Sequence, residues 1–456
     1  MGYSQHEKLE SFTAGFNNVT DLHHAPVFVL DMDGNCVEAF NLSKQALERY
    51  PNGMALKEGE SHVQQHLPSG LSREVLDTLL ADGTLEPKIF ANKPLDVRLP
   101  KPLVEAINHR IKAGDLFSIS FLTSRDYKDV LYVLRESGVT HPEKVTVVAD
   151  SGNSIGIDGA PRVTLRPLSP KEVAFKDGVE TVVAPKVEAR IRSFLGERAP
   201  KGDLLRLENK SYGYNLHYRD LLQHLGISNE EDPIAKKIAQ IVKEEMTAYA
   251  SVPDAPVEQR SDGSVQNVFK VGSGPMTYEL KLATVTKAMG FHALLEKMAS
   301  HGRVPSEAIF AGDDSFKHHQ KEDGSWVLEG HGTDYYAMMY AKGHECEGVL
   351  GTKICKPESV KGTVIHTHHP VGDAVDGTLP SPIKAIPEGH LLHPAQHGGV
   401  DLITPTPAHT AGVVVEAIQR MEKSLSQEQA APGSMVMRLQ QQQQQQARAG
   451  GGGVGY

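Results

Sequence analysis

Two aspartates, Asp31 and Asp33, close an apolar run in the stretch Ala-Pro-Val-Phe-Val-Leu-Asp-Met-Asp-Gly, Ala25 to Gly34. On an extended backbone, residues i and i+2 point the same way. Two carboxylates held like this repel unless a cation or a shared proton lies between them. A second acidic pair, Asp313 and Asp314, follows another apolar run, Ala308 to Ala311. With Thr123 at the end of a third run and Lys287 near the start of a helical stretch, the set suits phosphoryl transfer. Asp31 would attack phosphorus as a carboxylate nucleophile and form an aspartyl phosphate. Asp33 would protonate the leaving oxygen and then deprotonate the water that frees the enzyme. Asp313 and Asp314, with Asp31 and a backbone carbonyl near Asp33, offer the hard oxygen ligands that Mg²⁺ requires. Thr123 would donate a hydrogen bond to a phosphoryl oxygen, and Lys287 would place positive charge where negative charge develops.

The elements that must position these residues are readable in outline. Val27 to Leu30 has no polar alternation and stops at a glycine turn, as a buried parallel strand does. Leu116 to Leu122, ending at Thr123-Ser124-Arg125, and Val145 to Val148 repeat the pattern. Helical spacing covers Leu103 to Ala113 and Tyr127 to Ser137, so strand and helix alternate as in a doubly wound parallel sheet. Such a sheet presents ligands to its carboxyl edge. The segment from Leu42 to Leu103 shows no clear topology. From about residue 166 the rhythm changes. A helix is expected over Val187 to Leu195 and another over Ile234 to Tyr249. Hairpins are expected for Leu204–Glu208 with Tyr214–Tyr218 and for Val265–Val271 with Met276–Leu282. This reads as an α+β module inserted into the first domain. The parallel rhythm resumes with a helix from Thr286 to Ser300 and the strand before Asp313.

The chain has 456 residues and 39% hydrophobic content, enough for several domains with part of the length unpacked. Its 47 basic and 57 acidic residues give a net charge of −10, which argues against a nucleic-acid partner. Three cysteines, Cys36, Cys346 and Cys355, cannot all pair, which points to a reducing compartment, the cytoplasm. No apolar run reaches the length of a membrane span, and the N-terminus has no apolar signal core. The Gln run from Gln440 to Gln446 and the Gly run from Gly450 to Gly453 cannot build a core, and disorder is expected there.

The order Asp-x-Asp-Gly, Thr-Ser-Arg, Lys and Gly-Asp-Asp resembles the haloacid dehalogenase superfamily of phosphatases, and within it the trehalose-6-phosphate phosphatase family. The resemblance extends to Leu207-Glu208-Asn209-Lys210 and Leu216-His217-Tyr218-Arg219 in the inserted module, to Glu279-Leu280-Lys281, and to Thr333-Asp334. It implies a Rossmann-like core with an α+β cap of the C2 type, Mg²⁺, and hydrolysis of a sugar phosphate. It also implies substrate contacts from Ser124, Arg125, Glu208, Lys210, His217 and Arg219. The expected organisation is a polar lead-in (1–24), a core (25–165 and 283–365), a cap (166–282), a Pro/Gly/His-rich region (366–430) with a helix near Val413 to Leu425, and a disordered tail (431–456) whose partners the sequence leaves open. Three departures stand out. Asn35 replaces the family's Thr after Asp-x-Asp-Gly, which predicts weaker support of the phosphate loop. Residues 315–332 separate Gly-Asp-Asp from Thr-Asp. The region after Pro357 has no counterpart.

Plainer readings stand beside these. Thr123 also fits a helix N-cap, Lys287 a solvated helix charge, and Asp334 a cap before Tyr335 or a support for the metal ligands. Arg125 fits a structural ion pair. Glu208, Lys210, His217 and Arg219 fit an exposed hairpin face with cross-strand charge pairing. His366, His368 and His369 match no closed zinc pattern and read as a loop. Cys36 reads as a small buried residue. The alternative functions are a phosphatase for a sucrose- or mannosyl-type ester, or an interaction protein that keeps the fold with little activity.

Overall fold

The structure, a computed structural model, describes residues 5–50, 73–88, 97–160, 162–227, 230, 232–274, 276–314, 316–320, 326–367, 400–404 and 407–430. Its centre is an eight-stranded sheet. In spatial order the strands are Leu402–Thr404, Lys361–Thr367, Glu307–Gly312, Val27–Leu30, Ile119–Leu122, Thr146–Ala149, Ser154–Gly156 and Val163–Thr164. The first six run parallel, Ser154–Gly156 is antiparallel to them, and Val163–Thr164 is antiparallel to Ser154–Gly156 in turn. Val27–Leu30 is central and wholly buried, which is why it carries no polar residue. Its neighbours are the strands leading to Asp313 and to Thr123, with Leu30 level with Ala311 and Phe121. Three of the functional strand ends therefore meet at one edge.

Helices cover both faces. Tyr127–Glu136 follows Thr123 and buries Val130, Val133 and Leu134. Lys287–Ser300 is buried along most of its length, including Lys287 itself. The segment without expected topology holds an antiparallel three-stranded sheet of Glu38–Leu42, Leu85–Lys88 and Val97–Arg98. A small cluster of Leu42, Ala46, Leu76 and Leu85 lies beside it.

The core extends further than the sequence indicated, at both ends. The lead-in forms a helix, Gln5–Ala14, and Phe16 stacks on Phe28 with ring centroids 5.6 Å apart. Leu9, Phe12 and Phe16 recur at helical spacing and join the core of the central strand. At the other end the parallel sheet continues past 365 to Thr367 and adds Leu402–Thr404 as its edge strand. The helix expected near 413–425 spans Pro407–Ala430 and packs Val414, Ile418 and Met421 into the same core. Its Glu422 takes hydrogen bonds from Arg110 Nη1 at 3.1 Å and pairs with His109. Short apolar segments hidden among Pro, Gly and His carried too little periodicity to be seen. The tail 431–456, with its Gln and Gly runs, and His368 and His369 lie outside the described residues.

The inserted module is an antiparallel sheet of Phe269–Gly274, Thr277–Leu282, Gly213–His217 and Arg206–Asn209, in that order. Two helical rods back it. One runs Pro170–Gly178, a π turn at Val179–Val183, and Ala184–Leu195; the other is Pro233–Ala250. The expected strand 265–271 is two strands. Val265–Asn267 pairs with Val257–Gln259, and the chain then turns at buried Val268 to pair Phe269–Gly274 with Thr277–Leu282. The junction with the core is clamped. Arg166 bonds Glu172 at 2.7 and 2.8 Å and Glu258 at 2.9 Å, while Glu258 accepts from Thr284 at 3.1 Å. The outgoing and returning segments are thereby tied together. Among the described residues, no helix is long and apolar enough to cross a membrane.

Candidate active site

The carboxyl edge of the sheet gathers Asp31 and Asp313 from the expected set and adds Asp334, while Asp33 and Asp314 turn to other partners. Asp31, Asp313 and Asp334 each place a carboxylate oxygen within 4.8 Å of the others. Asp31 follows its strand directly, and its backbone N–H donates to Ala311 at 2.8 Å. The turn that carries it presses on Asp313. Gly34 has a φ of +71°, and a Cβ there would fall 2.2 Å from Asp313 Oδ2. Lys287 reaches in from the first turn of its helix, which Thr286 caps. Its ammonium lies 2.9 Å from Asp31 Oδ1 and also bonds Asp334 Oδ1. Lys287 is 2% exposed, so the solvated-charge reading fails.

Asp334 is fully buried and makes no side-chain cap. Its second oxygen accepts the backbone N–H groups of Asp313 and Asp314 at 3.0 and 3.1 Å. Asp334 thus fixes both the lysine and the acidic turn. Asp314 turns away from the cluster, and its carboxylate accepts the N–H and hydroxyl of Thr333 at 2.7 and 3.0 Å. The expected ligand set of Asp31, Asp33, Asp313 and Asp314 is therefore not the set brought together. Adjacent residues at a strand end diverge, and the antiparallel pairing of Phe316–Gln320 with Trp326–His331 brings Thr333-Asp334 back beside Gly312.

The cluster is electrostatically expensive without a cation. Burial, then the charge of Asp334, pushes the Asp31 carboxyl well above its ordinary value, with Lys287 opposing. Burial, Asp334 and Asp314 do the same to Asp313. The flanking carboxylates hold Lys287 protonated against the effect of burial. All-oxygen donors under mutual repulsion fit a hard divalent ion such as Mg²⁺. Since donors already engage both oxygens of Asp334, Asp31 and Asp313 are the side chains that would hold it.

Asp33 does not stay beside Asp31. The chain leaves the extended conformation after Leu30, so the i, i+2 geometry no longer applies. Its carboxylate instead clasps Arg125, at 2.7 Å to Nε and 2.5 Å to Nη2. Burial works against the Arg125 charge, yet Asp33 holds it above its ordinary range. Thr123 is buried, and its hydroxyl accepts the Arg125 N–H at 3.2 Å. The helix N-cap is Asp126, not Thr123.

Asn35 supports the loop that it was expected to weaken. It is fully buried, donates to the Asp31 carbonyl at 2.8 Å and accepts from Thr367. Thr367 continues through Thr410 to Thr404 by hydroxyl contacts of 2.7 and 2.6 Å. The C-terminal strand and helix thus brace the turn behind Asp31. Cys36 is buried, and its thiol donates to the Asp31 carbonyl at 3.0 Å. His366 is buried in its strand.

From the cap side, Glu208 accepts from Asn215 at 2.7 Å and pairs with His217 at 2.8 Å. Against the upward effect of burial, the His217 bond and the Lys210 charge hold Glu208 well below its usual range. Lys210 lies 3.4 Å from Glu279. Ser211, in the turn between the two strands, bonds Asp126 of the core at 2.6 Å. Arg219 opens the helix Arg219–His224, just past the strand that carries His217. A shallow open cleft lies between the two bodies, with Ser124, Asp150 and Ser151 on the core side and Lys210, Glu279 and Lys281 on the cap side. Sequence reasoning left Asp150, Ser151 and Glu279 out of the site. The signal for the first two was available, because Ala-Asp-Ser-Gly-Asn is a further strand end with an acid.

No protein-family profile matches the chain, and no curated protein matches it. Among solved structures, a trehalose-6-phosphate phosphatase related protein overlaps at 12% identity with a TM-score of 0.37, covering 87% of this chain and 100% of that one. The C-terminal domain of a Candida albicans trehalose-6-phosphate phosphatase overlaps at 11% identity with a TM-score of 0.41, covering 90% and 96%. An Aspergillus fumigatus trehalose-6-phosphate phosphatase overlaps at 13% and 0.32, covering 90% and 97%. In this chain the central strand of the parallel sheet leads to Asp31, and the α+β module lies in sequence between the strand Val163–Thr164 and the strand leading to Asp313.

Proposed function

We propose that this protein is a Mg²⁺-dependent phosphomonoesterase of the cytoplasm, hydrolysing a sugar phosphate such as trehalose 6-phosphate or a related disaccharide ester. The observation that carries the reading is the convergence of Asp31, Asp313 and Asp334 around Lys287, from strands and helices far apart in the chain. Clustered buried carboxylates burden a fold unless they do chemistry.

Asp31 attacks phosphorus, and the ester P–O bond breaks as the aspartyl phosphate forms. The leaving oxygen takes a proton from Asp33. Asp33 then accepts a proton from water, the water oxygen attacks phosphorus, and the bond to Asp31 breaks to release inorganic phosphate. Arg125 clasps the Asp33 side chain, and an incoming phosphoryl group competes for that guanidinium, releasing Asp33 toward the leaving oxygen. Lys287 holds Asp31 in place and offsets the charge of the phosphoryl oxygens. Mg²⁺, held by Asp31 and Asp313, supplies charge neutralisation when bound. The cap, docked through Ser211, excludes bulk water.

Phosphate release from a panel of sugar phosphates, with and without Mg²⁺, tests the reading. Asp31→Asn is expected to abolish release while the protein stays folded. Turnover unchanged in that variant overturns the mechanism.

A further inference from the structure

We infer that Asp150 and Ser151, on the turn after Thr146–Ala149, form the core-side wall of the sugar pocket, with the Asp150 carboxylate accepting a substrate hydroxyl. The role presupposes the phosphomonoesterase reading and adds a specificity residue to it.

The turn is bonded directly to the phosphate end of the site. The Asp150 N–H donates to the Arg125 carbonyl at 2.8 Å, and the Ser151 N–H to the Thr123 carbonyl at 3.0 Å. Ser151 Oγ meets Ser124 Oγ at 3.1 Å. Behind it, the turn rests on the helix that carries Lys287. A Cβ on Gly152 would fall 2.4 Å from the Thr286 carbonyl oxygen. A substrate whose phosphorus sits at Asp31 and whose remainder passes Ser124 therefore meets Asp150 next.

Two costs concentrate at this turn. Asp150 and Ser151 are consecutive non-glycine residues with φ of 54° and 58°, a left-handed conformation that L side chains resist. Asp150 is also 8% exposed. Ser154 donates to it, and Arg162 at 3.7 Å is its nearest cation. Burial leads the causes that lift its carboxyl to about 6. Strain and desolvation at one turn lining a cleft are what a binding site retains and a structural turn has no reason to keep.

The walls name the ligand chemistry. Asp150 and Glu279 accept, Lys210 and Lys281 donate, and Ser124 and Ser151 do either. Mixed donors and acceptors across a small cleft suit the hydroxyls of a sugar better than an apolar alcohol.

The test compares wild type with Asp150→Asn and Asp150→Gly. Both replacements accept the left-handed backbone, so the turn is kept. Kinetics are measured with Mg²⁺ on trehalose 6-phosphate, sucrose 6-phosphate, glucose 6-phosphate and p-nitrophenyl phosphate. The expected result is a rise in KM for the best sugar ester and a fall of at least tenfold in its kcat/KM relative to that for p-nitrophenyl phosphate, with both variants folded by thermal melt. A smaller fall in that ratio overturns the assignment and leaves the phosphatase reading standing. A wild type that hydrolyses p-nitrophenyl phosphate but no sugar ester also overturns the assignment alone. A wild type inert to every ester overturns both.

Discussion

Replacing Asp150 by Asn should stabilise the protein above pH 6 and not below pH 4. The folded carboxyl titrates at about 6 against an ordinary 3.8. At about 1.4 kcal/mol per unit, ionising it in the fold costs about 3 kcal/mol. The sign follows from proton binding. Between 3.8 and 6 the folded state holds this proton more tightly than the unfolded state, so stability falls as pH rises through that window and is flat above it. Asn carries no charge and escapes the penalty. Part of the gain is lost with the Arg162 contact and the Ser154 hydrogen bond, about 1 kcal/mol together. The net expectation at pH 8 is a gain of about 2 kcal/mol, shrinking to nothing or reversing by pH 4. Urea unfolding of both proteins at pH 4 and 8 reads the difference, and carboxylates common to both cancel. A variant less stable than wild type at pH 8, or a difference independent of pH, would refute the desolvation reasoning.

Other expectations follow from the same geometry. Asp115 is held down at about 2, since Arg303 and Arg110 outweigh its burial, so Asp115→Asn should cost about 2 kcal/mol at pH 7. That loss should fade as pH drops from 3.8 towards 2, visible in acid unfolding curves. Lys287→Met should lower kcat at least about 100-fold and lower the melting temperature, because Asp31 and Asp334 then face each other without a cation. Asn35→Ala should lower stability by about 1–3 kcal/mol in urea unfolding, with lower kcat and intact cap contacts, since it frees the turn behind Asp31. Mg²⁺ at about 100 times its dissociation constant should raise stability by about 2.7 kcal/mol, and Asp313→Asn should abolish that gain in a thermal melt.

Comparing residues shows which parts of the site the sequence exposed. The strand before Asp31 was legible because a central parallel strand must be apolar on both faces, and that pattern is local. Lys287 and Asp313 were legible because each sits at the edge of a periodic element. Asp334 was harder, since the 18 residues 315–332 separate Thr333-Asp334 from the Gly-Asp-Asp turn. Its part depends on where the chain returns, which no spacing rule predicts. Asn35 was misjudged because its value lies in Thr367, more than 300 positions away.

The amino-acid order alone determined the elements, their parallel rhythm and the kinds of chemistry available, because those follow from interactions within a few residues. Tertiary structure decided which carboxylates meet. It turned Asp33 to Arg125 and Asp314 to Thr333, and it set Asp334 under Lys287. It also decided that Gln5–Phe16 and Pro407–Ala430 pack onto the core, and it set Asp150 in the lining of the cleft. These outcomes depend on side-chain direction and burial, and a buried charge is settled by every neighbour that the fold brings near, however distant in the chain.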